Sequence, residues 1–412
     1  MNKISSFLCS IRWIISLFSA GSCGLFLIFH EASAQNVGIG TTTPLARLHI
    51  TDSSVVFTAS GIASSTPGNP PVSGTGRRMM WYADKAAFRA GYATSDAWDK
   101  NQIGNYSFAT GFSSQARGLH STAMGAVCLA VGESSVAIGE TCIASGDYTV
   151  VIGTLASASA IGSTAFGFNT IASGDYSTVM GHTTTSSGLS STAMGASTRA
   201  SGISSTAMGN NTTASGNYST TIGSNVSTSG FEGCLTIGDH STSTVMQTFV
   251  ANGFRSRFAG GYRLFTNSAV TIGAFLNADA NSWATLSDVR MKENFLPVSG
   301  EAILKKIAAI PQFTWNYKGQ DVKTLRHYGP MAQDFYKAFG EDALGEIGCD
   351  SLINQQDFLG VSFIAIQALE QRTQEIKTLK EQSILKEQEI KALKEMIWQI
   401  RKEIDELKVE RK

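Results

Sequence analysis

Residues 188–201 read GLSSTAMGASTRAS and residues 202–215 read GISSTAMGNNTTAS, which are two consecutive units of a 14-residue repeat. The repeat occupies about residues 101–238. One glycine recurs at the same position of every unit, and a second recurs halfway between, where Ala160 is the single exception. A fixed internal period marks an architecture in which each unit packs on the next one.

Each unit has room for two strands of about five residues and two tight corners, and glycine would supply the corner conformations. Stacked units would place identical positions above one another in parallel, in-register strands. The most apolar column is Met124, Ile138, Ile152, Phe166, Met180, Met194, Met208 and Ile222. Two further columns are mostly alanine: Ala123, Ala137, Ala165, Ala193 and Ala207, and Ala130, Ala144, Ala158, Ala172, Ala200 and Ala214.

The apolar column provides only one large apolar side chain per unit, which is a thin core for a single chain. We therefore expect several chains to share this column around a common axis. A ligand or cofactor stripe is the alternative interpretation of the same column.

Three short segments of the repeat carry a resemblance: STAMG at 191–195, SVAIG at 135–139 and IASGDYS at 171–177. They resemble the head repeats of trimeric autotransporter adhesins. The resemblance implies a trimeric left-handed parallel β-roll that binds host or matrix molecules.

The N-terminal segment, residues 1–34, has a basic start, a largely apolar run at Trp13–Phe29 and a small-x-small motif at 32–34. These features predict a signal peptide that is cleaved between Ala34 and Gln35, and hence a secreted or cell-surface protein. An uncleaved membrane anchor is the alternative, and it would be the protein's only contact with a membrane.

The remaining segments before the C-terminal region follow from composition. Residues 35–77 are predicted as a strand module with a linker, residues 104–240 as the β-roll head and residues 241–284 as a strand-rich neck. The aromatic segment 78–103 is predicted as a cap for the open end of the roll, which every solenoid needs. A sugar-binding aromatic patch is the alternative for that segment.

The composition excludes several function classes. The net charge is zero and only 16% of residues are charged, so nothing indicates nucleic-acid binding. The six cysteines and six histidines show no zinc-site spacing, so no metal or cofactor is predicted. Cys128 and Cys142 share one repeat position and should stack on adjacent coils, as two buried thiols or as a disulfide.

The composition changes at Leu286. The segments SDVRMK at 287–292, a helical stretch at 302–309, FTWNY at 313–317 and HYGPMAQD at 327–334 precede a long final helix. In this order they resemble the C-terminal intramolecular chaperone domain of phage tailspikes, tail fibres and endosialidases, which we place at residues 285–380. The family trimerises, helps to fold the preceding β-rich stalk and then cuts itself off.

Carried over by this resemblance, Ser287 is the nucleophile, Lys292 is the base and Leu286–Ser287 is the scissile bond. Asp288 and His327 are candidate supporting residues. A lysine acts as a base only when it is partly neutral, which burial in a completed site favours, so scission would be tied to folding. On spacing alone, a surface turn with a solvated lysine is the alternative. Any activity would be at most a single-turnover autoproteolysis.

The final segment is predicted as one helix at 361–412, with a coiled coil at 366–412. Position a of the heptad holds Leu369, Ile376, Ser383, Ile390, Ile397 and Ile404, and position d holds Arg372, Leu379, Lys386, Leu393, Ile400 and Leu407. Ile at a with Leu at d favours two strands, whereas the family resemblance implies three.

The sequence thus predicts a mainly β protein: a trimeric left-handed parallel β-roll of 14-residue repeats, a small α/β chaperone domain and a C-terminal α-helical coiled coil. The predicted function is a homotrimeric adhesin-like fibre whose C-terminal domain sets the register of the roll. The alternative is a carbohydrate-binding tailspike-like protein with an uncut chaperone domain. A glycan or another surface ligand is the candidate partner, but the repeat carries no paired carboxylates for glycosidase chemistry.

Overall fold

The computed structural model describes residues 36–410. The predicted signal peptide, its cleavage site at Ala34–Gln35, Cys9 and Cys23 lie outside the described residues. Within that range, no helix combines the length and apolar character needed to cross a membrane. The chain divides into two compact units: one runs to Arg263 and includes Phe275–Trp283, and the other comprises Leu264–Ala274 and the residues from Ala284 onward.

Each 14-residue unit forms one coil with a long strand and a short strand. The long strands are Phe108–Phe112, Thr122–Ala126, Val136–Glu140, Val150–Thr154, Thr164–Phe168, Thr178–His182 and Thr192–Ala196. The short strands are Gln115–Ala116, Leu129–Ala130, Ile143–Ala144, Ser157–Ala158, Ile171–Ala172, Thr185–Ser186 and Arg199–Ala200. The prediction of a second strand of about five residues is therefore wrong, because corner residues take up the rest of each unit.

Equivalent strands of successive coils pair in parallel and in register. Val150 lies opposite Thr164 and Gly153 lies opposite Gly167, so each partner is 14 residues away. The predicted stacking of identical positions is confirmed, and with it the β-roll architecture of the repeat.

The interior of each coil is filled by small side chains. Both alanine columns are fully buried, as Ala137 and Ala144 show. A buried serine column lies beside them, and its hydroxyls donate to the glycine carbonyl three residues earlier, as Ser135 Oγ does to Gly132 O at 2.7 Å. The buried hydroxyls of this column therefore have partners inside the same chain.

The Met/Ile column lies on the outer face of the long strands. Met124, Ile152 and Met180 are 37%, 39% and 38% exposed. Side chains alternate between the two faces of a strand, so the residue after an inward alanine must point outward. The location of the expected thin core is therefore corrected. Alanine and serine form the core of one chain, and the large apolar side chains lie outside it.

The corners contain residues in the left-handed backbone region, and most of these are not glycine. Val127 and Leu155 have φ of 54° and 55°, and Tyr148 has φ of 60°. The glycines lie instead where neighbouring coils approach most closely, since a methyl group on Gly139 would overlap the carbonyl oxygen of Gly153. The prediction that glycine supplies the corner conformation is therefore wrong: Gly139 lies within a long strand, where its φ of 126° and the close approach of Gly153 both require glycine.

Cys128 and Cys142 lie inside adjacent coils as buried, free thiols. A hydrogen bond with Cys142, and then burial, raise the pKa of the Cys128 thiol. The Sγ of Cys142 lies 3.0 Å from the carbonyl oxygen of Gly153. Of the two alternatives for this pair, the structure contains the free thiols.

The paired strands continue beyond the end of the sequence period. The last ones are Thr206–Ala214, Thr220–Ser227, Leu235–Gly238, Met246–Gln247 and Phe254–Arg257. Leu235 pairs with Phe254, so the spacing rises there to 19 residues. The ladder therefore includes part of the segment that composition assigns to the neck, because an insertion breaks the period without breaking the pairing. The rest of the neck contains the strands Tyr262–Phe265, Gly273–Leu276 and Ala284–Thr285.

A hairpin precedes the first coil. Its strands, Gly76–Tyr82 and Ala87–Ala93, are antiparallel and are joined by a 3-10 turn at Ala83–Lys85. The second strand pairs in parallel with Phe108–Phe112 and so extends the ladder. Further upstream, Val37–Ile39 pairs in parallel with Leu48–Ile50.

Arg89 ends the alanine column inside this hairpin, opposite Ala109. Its guanidinium is fully buried and donates to Ser107 Oγ at 2.8 Å and to the carbonyls of Ser107 and Ala116 at 3.1 and 2.9 Å. Burial lowers its pKa to about 10, which leaves it charged at neutral pH. Arg89 thus provides donors for carbonyls at the end of the stack.

As far as residue 410, the C-terminal unit contains three α-helices: α1 at Gly300–Ala309, α2 at Ala332–Phe339 and α3 at Gln355–Glu410. Phe313–Trp315 and His327–Gly329 form an antiparallel pair. Ile303, Phe339 and Ala365 form the buried core where the helices meet.

Helix α3 begins six residues before the predicted start at Val361, because the side chain of Asn354 accepts the backbone N–H of Gln356 at 2.8 Å and caps the helix. Ile376, Leu393 and Ile404 of its heptad are 52%, 55% and 45% exposed in the single chain. Arg372, assigned to position d, instead forms an ion pair with Glu301 of α1, with Nε 2.7 Å from Oε1. The predicted long helix is confirmed, and its heptad seam faces solvent.

Candidate functional site

A short turn follows the last neck strand, Ala284–Thr285, and organises the candidate cleavage site. Asp288 precedes a 3-10 turn at Val289–Met291, and its carboxylate accepts the backbone N–H of Arg290 at 2.9 Å. The backbone N–H of Lys292 then donates to Val289 O at 3.2 Å. This turn reverses the chain and directs Lys292 back toward the residues before it.

Lys292 and Ser287 meet across this turn. The Nζ of Lys292 donates to the Oγ of Ser287 at 2.7 Å. Both residues are exposed in the single chain. The two proposed catalytic groups are therefore in hydrogen-bond contact, and Leu286–Ser287 is the peptide bond next to the serine hydroxyl.

Asp288 is paired with Arg290 and not with the lysine. The Nη2 of Arg290 lies 2.6 Å from Oδ2 of Asp288, and its Nε lies 3.1 Å from each carboxylate oxygen. The hydrogen bonds from the Arg290 side chain and then from its backbone N–H hold the pKa of the Asp288 carboxyl below its ordinary value. Asp288 thus stabilises the turn that brings Lys292 to Ser287.

His327 lies in a separate aromatic cluster. Its ring is 4.7 Å from that of Trp315, and Tyr317 contacts both rings edge-on. Its Nε2 and the Nε1 of Trp315 are buried and have no hydrogen-bond partner among the residues that the structure describes. Across residues 36–410, no hydrogen bond or ion pair joins His327 to Ser287 or Lys292. The structure therefore does not bring His327 into the candidate site.

Two residues that sequence reasoning missed hold the strand before the scissile bond. The Oγ1 of Thr285 donates to Oε1 of Gln356 in the first turn of α3, at 3.1 Å. The two residues are 71 positions apart, and neither belongs to a recognisable motif. Arg290, by contrast, stands within the SDVRMK segment, two residues after Asp288, where an ion pair could have been anticipated.

A groove adjoins the candidate site within the same unit. It has a volume of about 760 Å³ and is lined by Lys292 and Gln356 together with apolar side chains that include Leu296, Phe335 and Val361. In the part of the chain that the structure covers, no group of three or more His, Cys, Asp or Glu side chains could hold a metal ion. The hydroxyl of Ser287 and the amine of Lys292 are the candidate reactive groups beside this groove.

Two family models match this chain. The model described as chaperone of endosialidase matches residues 287–344, beginning at the candidate nucleophile. The model described as YadA head domain repeat matches residues 103–126, 144–170, 172–198 and 200–225. No curated protein matches the chain significantly. The two resemblances identified from the sequence are confirmed, and the chain joins adhesin-type head repeats to a chaperone segment of the endosialidase type.

The two family models leave one coil of the head and the long C-terminal helix unmatched. Residues 127–143, which contain Cys128 and Cys142, fall between two matched segments although they form an ordinary coil. The chaperone match ends at residue 344, before α3 begins at Gln355. The long helix is therefore an element of this chain beyond the matched segment.

Proposed function

We propose that this protein is a secreted or surface-exposed homotrimeric fibre whose C-terminal unit aligns three chains and then cuts itself off before Ser287. The head repeats would form the lasting part of the fibre, and a glycan or another surface molecule is the candidate ligand. The hydrogen bond of 2.7 Å between Lys292 Nζ and Ser287 Oγ, at the start of a chaperone-type segment, carries the proposal of scission.

Exposed apolar side chains support assembly into a trimer. Each chain has the Met/Ile column along the roll and another apolar column along α3, and both are solvated in the single chain, as Met180 and Leu393 illustrate. Covering such columns with equivalent columns of other chains would remove apolar area from water in both regions. The head-repeat and chaperone matches support three copies and exposure at a surface.

The scission step follows from the two groups. Once Lys292 has lost a proton, its amine accepts the Ser287 hydroxyl proton while Ser287 Oγ attacks the carbonyl carbon of Leu286. The C–N bond then breaks, the α-amine of Ser287 leaves with a proton from Lys292, and an ester joins Leu286 to Ser287 Oγ. Water hydrolyses that ester, giving a Leu286 carboxylate and a free Ser287 hydroxyl.

This step needs a neutral Lys292, yet Lys292 is exposed to solvent in the single chain. A neutral amine is favoured when the charged form is removed from water. A neighbouring copy that covers the site would provide that desolvation, so scission would follow assembly.

The test is the mass of the products. Residues 35–412 should yield two fragments, 35–286 and 287–412, when the purified trimer is analysed by intact-mass spectrometry. Ser287→Ala and Lys292→Ala should each leave the chain whole and still trimeric. Ser282→Ala and Lys305→Ala are matched controls at exposed positions outside the pair, and both should cut like the wild type.

An intact wild-type trimer would contradict self-cleavage and leave a chaperone without peptidase activity. A stable, soluble monomer in sedimentation analysis would contradict the assembly part of the proposal.

A further inference from the structure

The strand before the scissile bond is tied to the beginning of α3. Thr285, two residues before Ser287, donates its hydroxyl hydrogen to Oε1 of Gln356 at 3.1 Å. Since only Leu286 separates Thr285 from the nucleophile, a shift of Thr285 must move the carbonyl group that Ser287 attacks. Placement of that carbonyl matters because small misalignments of reacting atoms cost large factors in rate.

Gln356 in turn depends on the first turn of α3. Its backbone N–H is held by the side chain of Asn354 at 2.8 Å, and the carbonyl of Asn354 accepts the N–H of Phe358 at 3.0 Å. These are the bonds of a helix N-terminus, and they are made only when the helix has formed there. The side chain of Gln356 therefore reaches Thr285 from a position that the folded helix defines.

Helix α3 is an element whose stability depends on assembly. It has 56 residues, and its heptad side chains are exposed along most of its length in the single chain. Helix formation is cooperative, and isolated helical segments gain most of their stability from packing of an apolar face. Partner helices on the heptad seam would thus stabilise the solvated part of α3, whereas the beginning of the helix, next to Gln356, packs against α1 and α2 within one chain.

Lys292 and Gln356 line the same groove. Lys292 is the base of the candidate pair, and Gln356 holds the strand before the scissile bond. Both therefore lie on one surface, which α1, α2 and α3 form together.

We propose that Gln356 is a positioning residue that couples the folding of α3 to scission, by holding Thr285 so that the Leu286–Ser287 bond faces the Ser287–Lys292 pair. This inference rests on the proposed self-cleavage. It adds a regulatory step to it: the bond is cut only after the helix that aligns the chains has formed at its beginning.

The experiment measures the rate of self-cleavage of the full chain after refolding. Gln356→Leu and Thr285→Val each remove one side of the hydrogen bond, and each should slow scission about fivefold, the effect of one hydrogen bond of about 1 kcal/mol. The double variant should be no slower than either single variant, because both changes remove the same contact. Gln356→Glu keeps an acceptor oxygen and should restore most of the rate.

Two further measurements separate positioning from general stability. Gln355→Leu changes the neighbouring exposed residue of the same turn and should cut at the wild-type rate. Trimer content and thermal unfolding of Gln356→Leu should match the wild type, whereas a purely structural role would lower both. Equal rates in the wild type and Gln356→Leu, or multiplying effects in the double variant, would overturn this inference alone. A wild-type chain that stays intact would overturn the proposed function together with it.

Discussion

In the coil stack a residue meets its own equivalent 14 positions away, as Gly139 meets Gly153. In the C-terminal unit each contact joins residues that are not repeated, as Gly300 meets Ala368 and Thr285 meets Gln356. The stack is therefore easy to build within a chain and ambiguous between chains, because two chains displaced by one whole unit still match nearly everywhere. A non-repetitive unit has one matching arrangement, so it can define which coil faces which.

The two regions also differ in how much of their packing a single chain provides. The stack fills its own interior with alanine and serine, and its outer Met/Ile column remains exposed together with corner side chains such as Tyr148 and Leu155. Helix α3 buries only its first turns against α1 and α2 and leaves the remaining seam solvated. Assembly into a trimer, as proposed, would therefore add an interface to the stack but provide most of the packing of the helix.

The largest expected difference comes from adding one methyl group in each region. Gly139→Ala should destabilise the stack by about 4 kcal/mol, since the methyl would overlap a carbonyl oxygen of the next coil and φ is 126° there. Gly360→Ala in α3 meets nothing within 4 Å and should stabilise the helix by about 0.5–1 kcal/mol. Chemical denaturation followed by circular dichroism measures both. A well-tolerated Gly139→Ala would contradict the close packing of coils.

A middle-sized effect is expected from the two exposed apolar columns. Ile397→Gln in α3 should weaken the trimer by about 2 kcal/mol, since the seam has few layers and few other contacts. Met194→Gln in the stack should cost about 1 kcal/mol, because equivalent residues above and below remain in place. Sedimentation equilibrium measures the association, with Lys391→Gln as a control outside the a and d positions. An unchanged trimer with Ile397→Gln would show that α3 does not pack against other copies.

The smallest effect is expected at Asp239, near the end of the ladder, where strands still pair although the 14-residue period has ended. Asp239 accepts the N–H of Ala259 and the hydroxyl of Ser241, each at 2.7 Å, and pairs with Arg257. These contacts, the Ala259 bond first, lower the pKa of Asp239 from 3.8 to about 2. The ionised form is thus favoured by folding, and its contribution is complete above pH 3.8 and is lost as the pH falls toward 2.

Asp239→Asn should therefore lower the melting temperature slightly at neutral pH, and the gap to the wild type should close in acid. A gap that stays constant across this pH range would indicate that the carboxylate charge has no role in fastening the coil.

The repeat made the coil and its register predictable, because a fixed period has few structural solutions. It did not reveal which column lies inside. The larger apolar surface of Met180 favours it over Ala193 as a core residue, yet the narrow coil admits only smaller side chains such as Val179 and Ala193. The left-handed corners could not be predicted either, since Tyr148 and Leu155 are not residue types that favour a left-handed backbone.

The candidate site could also be predicted only in part. Ser287 and Lys292 could be named because a family motif includes both, and the turn between them is local. The start of α3 was readable in principle, because Asn354 followed by Asp357 is a typical helix beginning. The contact of Thr285 with Gln356 joins distant parts of the chain through the fold of the unit, so no local pattern could announce it.

The order of elements along the chain has a thermodynamic consequence. Ser287 precedes α1, α2 and α3, so a cut before it would separate the coils from the non-repetitive helical unit that is proposed to align them. A fibre finished in this way could not return to the same arrangement after melting. After its first unfolding, the cut protein would refold without the unit that aligned its chains, so heating followed by cooling should show hysteresis that the Ser287→Ala chain does not show.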